Sequence, residues 1–286
     1  MMISVIVPTF NRAFTLPKTV DSILAQTYRD WDLTIIDDGS TDQTWKTIQP
    51  YLSRKIQYVW TPHRGTPHAW NLGAKLSKHD YLFFTGDDVI LHRDCLALLA
   101  EAAKKIDRGQ ISTAGALAPR LIYVAGYADP REEAAGKDYA SIDPYTGDVK
   151  GSFNVDGERI LEVSVIHGYS MIRKEAFLSV GGFDEKAYKG NYFREETDLW
   201  LRLRRNGFKL YYQPRAKIYC LRGLTKGGQW SNVRGSIPLY EYYVLRNHLV
   251  FLKKFYGRKA YFMFPPFIIR RSRTVLNQFM RRLLFE

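Results

Sequence analysis

Polar clusters directly follow three short apolar runs within the first hundred residues of this 286-residue chain. Carboxylates are the preferred protein ligands of Mg²⁺ and Mn²⁺, and they also accept hydrogen bonds from a nucleobase or a ribose. We therefore predict a site for a nucleotide diphosphate and a divalent metal, with the pair Asp87-Asp88 at its centre. The three clusters are Thr9-Asn11-Arg12, Asp37-Asp38-Gly39-Ser40 and Thr85-Gly86-Asp87-Asp88.

The segments around these clusters alternate between strand and helix signals. The β-branched run 3–10 is typical of a buried parallel strand, and residues 16–26 have helical spacing. Strands are predicted next at 33–36, 56–60 and 81–90, with helices at 66–76 and after a capping box at 40–43. This order predicts an α/β protein, with a Rossmann-like, mostly parallel sheet flanked by helices. Ligands of such sheets bind beyond the carboxyl ends of the strands, where the polar clusters would meet.

The second half is less regular. Residues 121–162 are rich in Gly, Asp, Pro and Tyr, and we predict a long irregular loop there. A strand and then a helix are expected within 160–177. Residues 193–208 predict an amphipathic helix with Leu199, Trp200 and Leu203 on its buried face.

The net charge of +13 is concentrated at the carboxyl-terminal end. Residues 215–286 hold 15 Lys and Arg against 2 acidic residues, whereas residues 1–214 hold 27 of each sign. The last helix combines arginines with an apolar face and predicts binding to an anionic membrane surface, although a helix packed on the domain or a dimer contact would have the same pattern. No RNA-binding signature accompanies the charge, so no nucleic-acid partner is predicted. The apolar face consists of Val275, Leu276, Phe279, Met280, Leu283 and Leu284.

Several protein classes are disfavoured by composition. Two distant cysteines, Cys95 and Cys220, form no disulfide framework and indicate a reducing compartment. We see neither a secretory signal nor an apolar run of about 18–20 residues that would span a membrane. The expected location is therefore cytoplasmic, with peripheral association at the inner face of the cell membrane.

Five motifs occur in the order found in one enzyme family. VIVPTFNR, DDGSTD, a GDD at a strand end, GGFDE and EETDLWLRLRRNG together resemble family 2 glycosyltransferases of the GT-A fold, over about residues 3–212. The resemblance implies an inverting, metal-dependent enzyme that moves a sugar from a UDP, dTDP or GDP donor to a hydroxyl of a glycan or a lipid-linked acceptor.

The resemblance also implies roles for the strand-end residues. Asp88, with Asp87, would bind Mn²⁺ or Mg²⁺, and Thr85 stands where many members have the first acid of the metal motif. The alternative for residues 37–42 is that they only form turns and helix caps. The residues implied to bind the nucleotide sugar are Pro8, Thr9, Asn11, Arg12, Asp37, Asp38 and Asp87.

The family's catalytic base maps to Glu196, and Asp198 is the competing candidate, although an acid in the first helical turn can simply interact with the helix dipole. Trp200 would line the acceptor site or lie in the core. Cys220 stands where many relatives have a histidine near the metal, and a neutral thiol is a poor ligand for Mg²⁺ or Mn²⁺. Arg222 and Lys226 could then neutralise the diphosphate, and His167 is expected to be structural or on the acceptor side.

We predict a GT-A domain over residues 1–230, followed by a basic, aromatic helical extension over 231–286. Within the domain, residues 1–105 would bind the nucleotide sugar and 106–230 the acceptor. Two other functions are possible. A sugar nucleotidyltransferase would need a glycine-rich phosphate loop after the first strand, and the segment VPTFNR contains no glycine. The other is a non-catalytic membrane-binding protein on a degenerate transferase fold. The sugar, the acceptor and the oligomeric state stay open.

Overall fold

The computed structural model describes residues 1–108, 114–125, 134–222 and 236–285. The strands within these residues, in chain order, are β1 Ile3–Thr9, β2 Trp31–Asp37, β3 Ile56–Trp60, β4 Tyr81–Phe84, β5 Val89–Leu91, β6 Ala114–Ala125, β7 Ser141–Ile142, β8 Val149–Lys150, β9 Leu161–Val163, β10 Met171–Arg173 and β11 Lys209–Arg222. The helices are α1 Leu16–Leu24, α2 Thr44–Ile48, α3 Thr66–Leu76, α4 Cys95–Arg108, α5 Lys174–Ser179, α6 Glu195–Arg205, α7 Ile237–Tyr256 and α8 Ala260–Phe285.

One twisted sheet contains all of these strands except the hairpin β7–β8, in the order β3-β2-β1-β4-β10-β6-β11-β5. The first four strands are parallel, and β10 enters antiparallel between β4 and β6. Strand β11 pairs parallel with β6, while β5 and β9 pair antiparallel with β11. The predicted α/β sheet with flanking helices is confirmed, and the antiparallel strands β10, β5 and β9 make it a mixed sheet.

The sheet is buried on both faces, and strand periodicity assigns each side chain to one of two cores. Val5 and Val7 of β1 pack into the core that contains α1 and α4, whereas Ile6 between them packs into the core that contains α3, α5 and α6. Burial of each such side chain stabilises the fold by about 1.5–3 kcal/mol. The strands are therefore held from both sides, and their ends are placed rigidly.

The predicted capping box at residues 40–43 is wrong. Helix α2 begins at Thr44, and Asp42 Oδ1 accepts the Thr44 N–H at 2.9 Å. The Ser40 hydroxyl instead accepts the Asn11 N–H at 2.8 Å, so it joins two strand-end loops. The Ser40 side chain thus bonds to another loop and does not cap a helix.

The irregular loop predicted over residues 121–162 is confirmed only in part, since residues 151–160 contain neither helix nor strand. Strand β6 continues to Ala125, residues 134–162 contain the hairpin β7–β8 and part of β9, and 126–133 lie outside the described residues. The Asp143 carboxylate accepts two backbone N–H groups in the hairpin turn. The single strand expected within 160–177 is in fact the separate strands β9 and β10, the second leading into α5.

Two long helices form the predicted carboxyl-terminal extension. Ser236 caps α7, its hydroxyl accepting the Leu239 N–H at 3.4 Å. Phe251 and Leu252 of α7 and Met263 of α8 form a third apolar cluster with Tyr188. The extension therefore packs on the segment that precedes α6. The domain boundary predicted at 230 falls outside the described residues.

Candidate active site

Asn11 links the first two strand-end loops. Its backbone has φ +54°, a left-handed conformation that Asn adopts more readily than most residues. In this position its Oδ1 accepts the backbone N–H groups of Thr41, at 2.8 Å, and of Asp42, at 3.3 Å. Asn11 therefore fixes the shape of the proposed nucleotide edge.

The two aspartates that end β2 have different partners. The Asp37 carboxylate accepts the Ser40 N–H at 2.7 Å and the Tyr58 hydroxyl. The Asp38 carboxylate accepts the N–H groups of Arg64 and Gly65, each at 2.7 Å. Burial raises the pKa of Asp38, and these two backbone donors oppose the rise. Both carboxylates therefore shape loops at the strand ends, as the turn interpretation expected.

A flat aromatic surface lies beside Asp38. The rings of Phe10 and His63 stack with centroids 4.3 Å apart, and His63 Nδ1 lies 2.9 Å from Asp38 Oδ2. Neither ring was among the predicted site residues. Their signal in the sequence is only their position, Phe10 directly after β1 and His63 in the loop after β3, which periodicity does not distinguish from ordinary loop positions.

The buried guanidinium of Arg12 faces the central carboxylate pair. Its Nε lies 3.6 Å from Asp87 Oδ1 and its Nη2 lies 3.9 Å from Asp88 Oδ2, which is too long for direct hydrogen bonds. Among the described residues, Nε and Nη1 of Arg12 have no hydrogen-bond acceptor. Buried donors without acceptors are unfavourable, so an oxyanion placed here would be stabilised.

Asp87 and Asp88 lie in the turn between β4 and β5. Burial raises the pKa of both carboxyls, and the positive charge of Arg12 opposes the rise. No group of three or more His, Cys, Asp or Glu side chains in the described part of the chain could hold a metal. The pair nevertheless fits Mg²⁺ or Mn²⁺ in the manner of sites where one or two carboxylates share the ion with substrate phosphates and water.

Tyr169 lies near both this pair and Glu196. A β-carbon at Gly86 would lie 3.1 Å from both Asp88 Oδ1 and Tyr169 Cε1, so both side chains border this glycine. Burial is the main cause of the raised pKa of the Tyr169 phenol, and negative charge on Cys220, Asp88 and Glu196 raises it further. Sequence reasoning missed Tyr169.

Glu196 lies over the backbone of Gly168. A β-carbon at Gly168 would lie 2.1 Å from Glu196 Oε1, so only glycine leaves room for this carboxylate. Burial raises the pKa of Glu196, and a hydrogen bond from the Gly168 N–H opposes the rise. The result is a proton acceptor close to neutral pH, as general bases require.

A cavity of about 400 Å³ opens beside this carboxylate. Its walls combine apolar rings with hydroxyl, amide and carboxyl groups, a mixture that suits the alternating C–H and O–H faces of a sugar. The lining includes Glu195, Glu196, Phe153, Phe193, Asn191 and Tyr240.

Asp198 is surrounded by donors on a different side of α6. Its buried carboxylate accepts from the Tyr188 hydroxyl at 2.8 Å and from Arg202 Nε at 2.5 Å, and it lies 2.6 Å from Lys254 Nζ. Because Lys254 belongs to α7, Asp198 joins the GT-A core to the extension. The helix-dipole interpretation understated this structural role.

The remaining candidates are spread out. Trp200 is fully buried in the core beside α3. His167 Nε2 contacts the Pro119 carbonyl at 2.8 Å, and burial lowers its pKa to about 4, so it is neutral. Cys220 pairs with Val89 of β5. Arg222 ends β11 with its side chain outside the description, and Lys226 lies outside the described residues altogether.

The sequence profile of the family described as "Glycosyl transferase family 2" matches residues 4–179. The chain belongs to this family. Its curated relatives include poly-beta-1,6-N-acetyl-D-glucosamine synthase from Staphylococcus aureus, 25% identical over 278 residues, and from Staphylococcus epidermidis, 26% identical over 237 residues. These alignments cover 93% and 80% of this chain but only 60% and 52% of the relatives.

Solved structures show the same fold. GalNAc-T7 with UDP, GalNAc and Mn²⁺ aligns with a TM-score of 0.69 at 19% identity, over 87% of this chain and 47% of that one. S. aureus TarS 1-349 with UDP aligns with a TM-score of 0.55 at 16% identity, over 88% of this chain and 66% of that one. The GT-A fold implied by the motifs is confirmed.

Paired substitutions should separate the two acids of α6. Asp198→Asn leaves Arg202 and Lys254 without their carboxylate and should lower the free energy of unfolding by roughly 1–3 kcal/mol. Glu196→Gln should not destabilise at neutral pH. The pKa of Glu196 is raised in the folded state. The stability that this carboxyl contributes is therefore present below its unfolded-state pKa and is lost as the pH rises through its folded-state pKa. Glutamine stays neutral and avoids that loss. Urea unfolding measures both; equal destabilisation would contradict the assignment.

Proposed function

We propose that the chain is an inverting, metal-dependent glycosyltransferase that uses a UDP-activated sugar and a glycan or lipid-linked acceptor with a free hydroxyl. The observation that carries this proposal is the clustering of Asp88, Tyr169 and Glu196 at one sheet edge. Asp88 and Tyr169 both border Gly86, the charges of Asp88 and Glu196 are near enough to raise the pKa of the Tyr169 phenol, and Glu196 borders a sugar-sized cavity. A diphosphate site and a proton acceptor are thus neighbours.

The donor would lie across the ends of β1, β2 and β4. The Phe10–His63 surface would stack on the base, and Pro8, Thr9 and Asp38 would line the nucleoside. Arg12 would bind the diphosphate through its free Nε and Nη1 donors. Asp87 and Asp88 would hold Mn²⁺ or Mg²⁺, which supplies positive charge to the leaving diphosphate. GalNAc-T7 and TarS, which share the fold, were both solved with UDP, and this supports UDP over the dTDP and GDP alternatives.

Glu196 would take the proton from the acceptor hydroxyl as its oxygen bonds to the anomeric carbon. The bond from that carbon to the diphosphate oxygen breaks in the same step, and the electron pair leaves with UDP. Attack from the cavity side, opposite the diphosphate, inverts the anomeric configuration. Tyr169 between the two acids would keep bulk water from the reacting atoms. Neither the nucleotidyltransferase nor the non-catalytic alternative uses this pairing of diphosphate site and base.

The extension also has a surface suited to an anionic membrane. Phe262, Pro266, Ile269 and Leu276 lie at helical spacing along one exposed side of α8. Residues 260–285 contain no acid. An apolar stripe with basic neighbours matches helices that lie in the membrane interface. No helix in the described ranges is both long and apolar enough to cross a bilayer.

Donor binding should depend on metal through Asp88. A thermal-shift panel of UDP-, dTDP-, GDP- and CMP-sugars, including UDP-N-acetylglucosamine and UDP-N-acetylgalactosamine, should show the largest stabilisation with UDP-sugars and Mn²⁺. Asp88→Asn should remove the Mn²⁺-dependent part of the shift and leave the apo melting temperature unchanged or higher, because burial penalises its charge. No shift with any donor would refute the donor site.

Turnover should require Glu196. Glu196→Gln should lower kcat for UDP release by at least about 10²-fold, the usual contribution of a general base, with an unchanged donor Kd. Because the pKa of Glu196 is raised, wild-type kcat should fall on acidification well above the ordinary glutamate pKa of about 4.3. UDP release measured from pH 4 to 9 tests both statements. Full activity of the glutamine variant would overturn the assignment.

Membrane binding should depend on the stripe of α8. Phe262→Glu combined with Ile269→Glu should weaken sedimentation with phosphatidylserine vesicles by about tenfold or more, since each buried apolar side chain contributes about 1.5–3 kcal/mol. Phe262 is 82% exposed and Ile269 57% exposed, so folding should be unaffected. Leu178→Glu, at a 55% exposed position on α5, is the matched control. Equal binding of both variants would show that the stripe does not contact lipid.

A further inference from the structure

The residue directly before α6 has an unusual backbone conformation. Arg194 is the N-cap of the helix, with φ +83°, a left-handed conformation that is unfavourable for a side chain of this size. Its side chain is only 3% exposed. Such a conformation persists only where the surroundings impose it, and it recurs at functional sites. Glu195 and Glu196 follow directly in the chain.

Two acceptors fix the Arg194 guanidinium. Its Nε donates to His248 Nδ1 at 3.1 Å, and its Nη2 donates to the Asp148 carboxylate. The guanidinium carbon also lies 4.3 Å from the centroid of the Phe193 ring. His248 belongs to α7 and Asp148 to the turn before β8, so elements distant in sequence set the start of α6.

His248 is itself held as a neutral acceptor. Its Nε2 lies 2.8 Å from the Thr146 carbonyl, which places the proton on Nε2 and leaves Nδ1 free to accept from Arg194. Burial, and then the charge of Arg194, lower the pKa of His248 to about 3. The ring stacks on Phe267 of α8, with centroids 3.6 Å apart. The imidazole can therefore neither rotate nor ionise near neutral pH.

The same helices hold the segment that leads into α6. Asn247 Nδ2 donates to the Lys189 carbonyl at 2.8 Å, and Asn247 Oδ1 accepts the Lys189 N–H at 3.1 Å. Arg270 of α8 forms a second ion pair with Asp148. The chain on the amino-terminal side of Glu196 is therefore fastened to α7 and α8 rather than only to the sheet.

We propose that His248 and Asp148 are positioning residues that act through Arg194 to place the Glu196 carboxylate over Gly168. The inference rests on the proposed role of Glu196 as the base. It gives the carboxyl-terminal extension a part in the chemistry that is separate from membrane binding. A misplacement of about 1 Å in a catalytic group can cost on the order of 10²-fold in rate.

The test compares three variants of the full chain. His248→Phe keeps a ring that can stack on Phe267 but removes the acceptor for Arg194. His248→Asn returns an amide oxygen near the position of Nδ1. Phe255→Leu is the packing control, because Phe255 is also buried on α7, in the apolar cluster with Phe251 and Leu252, and its side chain carries no polar group.

UDP release from UDP-N-acetylglucosamine or UDP-N-acetylgalactosamine, whichever gives the larger thermal shift, is measured together with melting temperature. We expect His248→Phe to lower kcat on the order of 10²-fold with donor KM within about twofold of wild type, and His248→Asn to recover part of the loss. Phe255→Leu should lower the melting temperature with little change in kcat. Equal kcat losses in His248→Phe and Phe255→Leu, or an unchanged kcat in His248→Phe, would overturn the proposal.

A double variant separates this proposal from the one on which it rests. If His248 acts through Glu196, adding His248→Phe to Glu196→Gln should lower the residual kcat no further, since residues that act as a unit are not additive. A further full loss would contradict the positioning role. Full activity of Glu196→Gln alone would instead refute the base assignment, whatever the His248 variants do.

Discussion

Burial of carboxylates at the carboxyl edge of one sheet is the constraint on which this structure depends. Asp87, Asp88, Glu195 and Glu196 all lie where water is largely excluded, and burial raises the pKa of each one. A buried charge is costly unless it is compensated. Among the described residues, the nearby compensation consists of Arg12 and a few backbone N–H groups. The fold therefore keeps excess negative charge at this edge, which a bound cation would compensate.

Other acids near this edge have more hydrogen-bond and ion-pair partners. Asp198 has Arg202, Lys254 and the Tyr188 hydroxyl, so its charge is used to join α6 and α7. Asp38 has two backbone donors and orders the loop before α3. Glu196 has one backbone donor and an open cavity. This contrast supports the proposal that Glu196, rather than Asp198, is the base.

The sequence predicted correctly those features that depend on the local order of residues. Parallel strands ending in polar clusters predicted the sheet and its functional edge, because strand periodicity and strand-end position are local properties. Predictions failed where long-range contacts decided the outcome. Ser40 bonds to Asn11 instead of capping a helix, and the segment after Leu121 is ordered by pairing with β11. Tyr169 was missed because the fold, and not any spacing along the sequence, brings it near Asp88 and Glu196.

The extension illustrates how composition can indicate one role and geometry another. Its arginines indicated an anionic membrane surface, a helix packed on the domain or a dimer contact. In the structure Arg270 pairs with Asp148, and His248 accepts from Arg194. One side of α8 thus packs against the interior, while the stripe that includes Phe262 faces outward. Because α8 is a single helix, its outward stripe and the side chains that contact Asp148 and His248 belong to one element. Under the two proposals, α8 would therefore serve both attachment to a membrane and placement of the base.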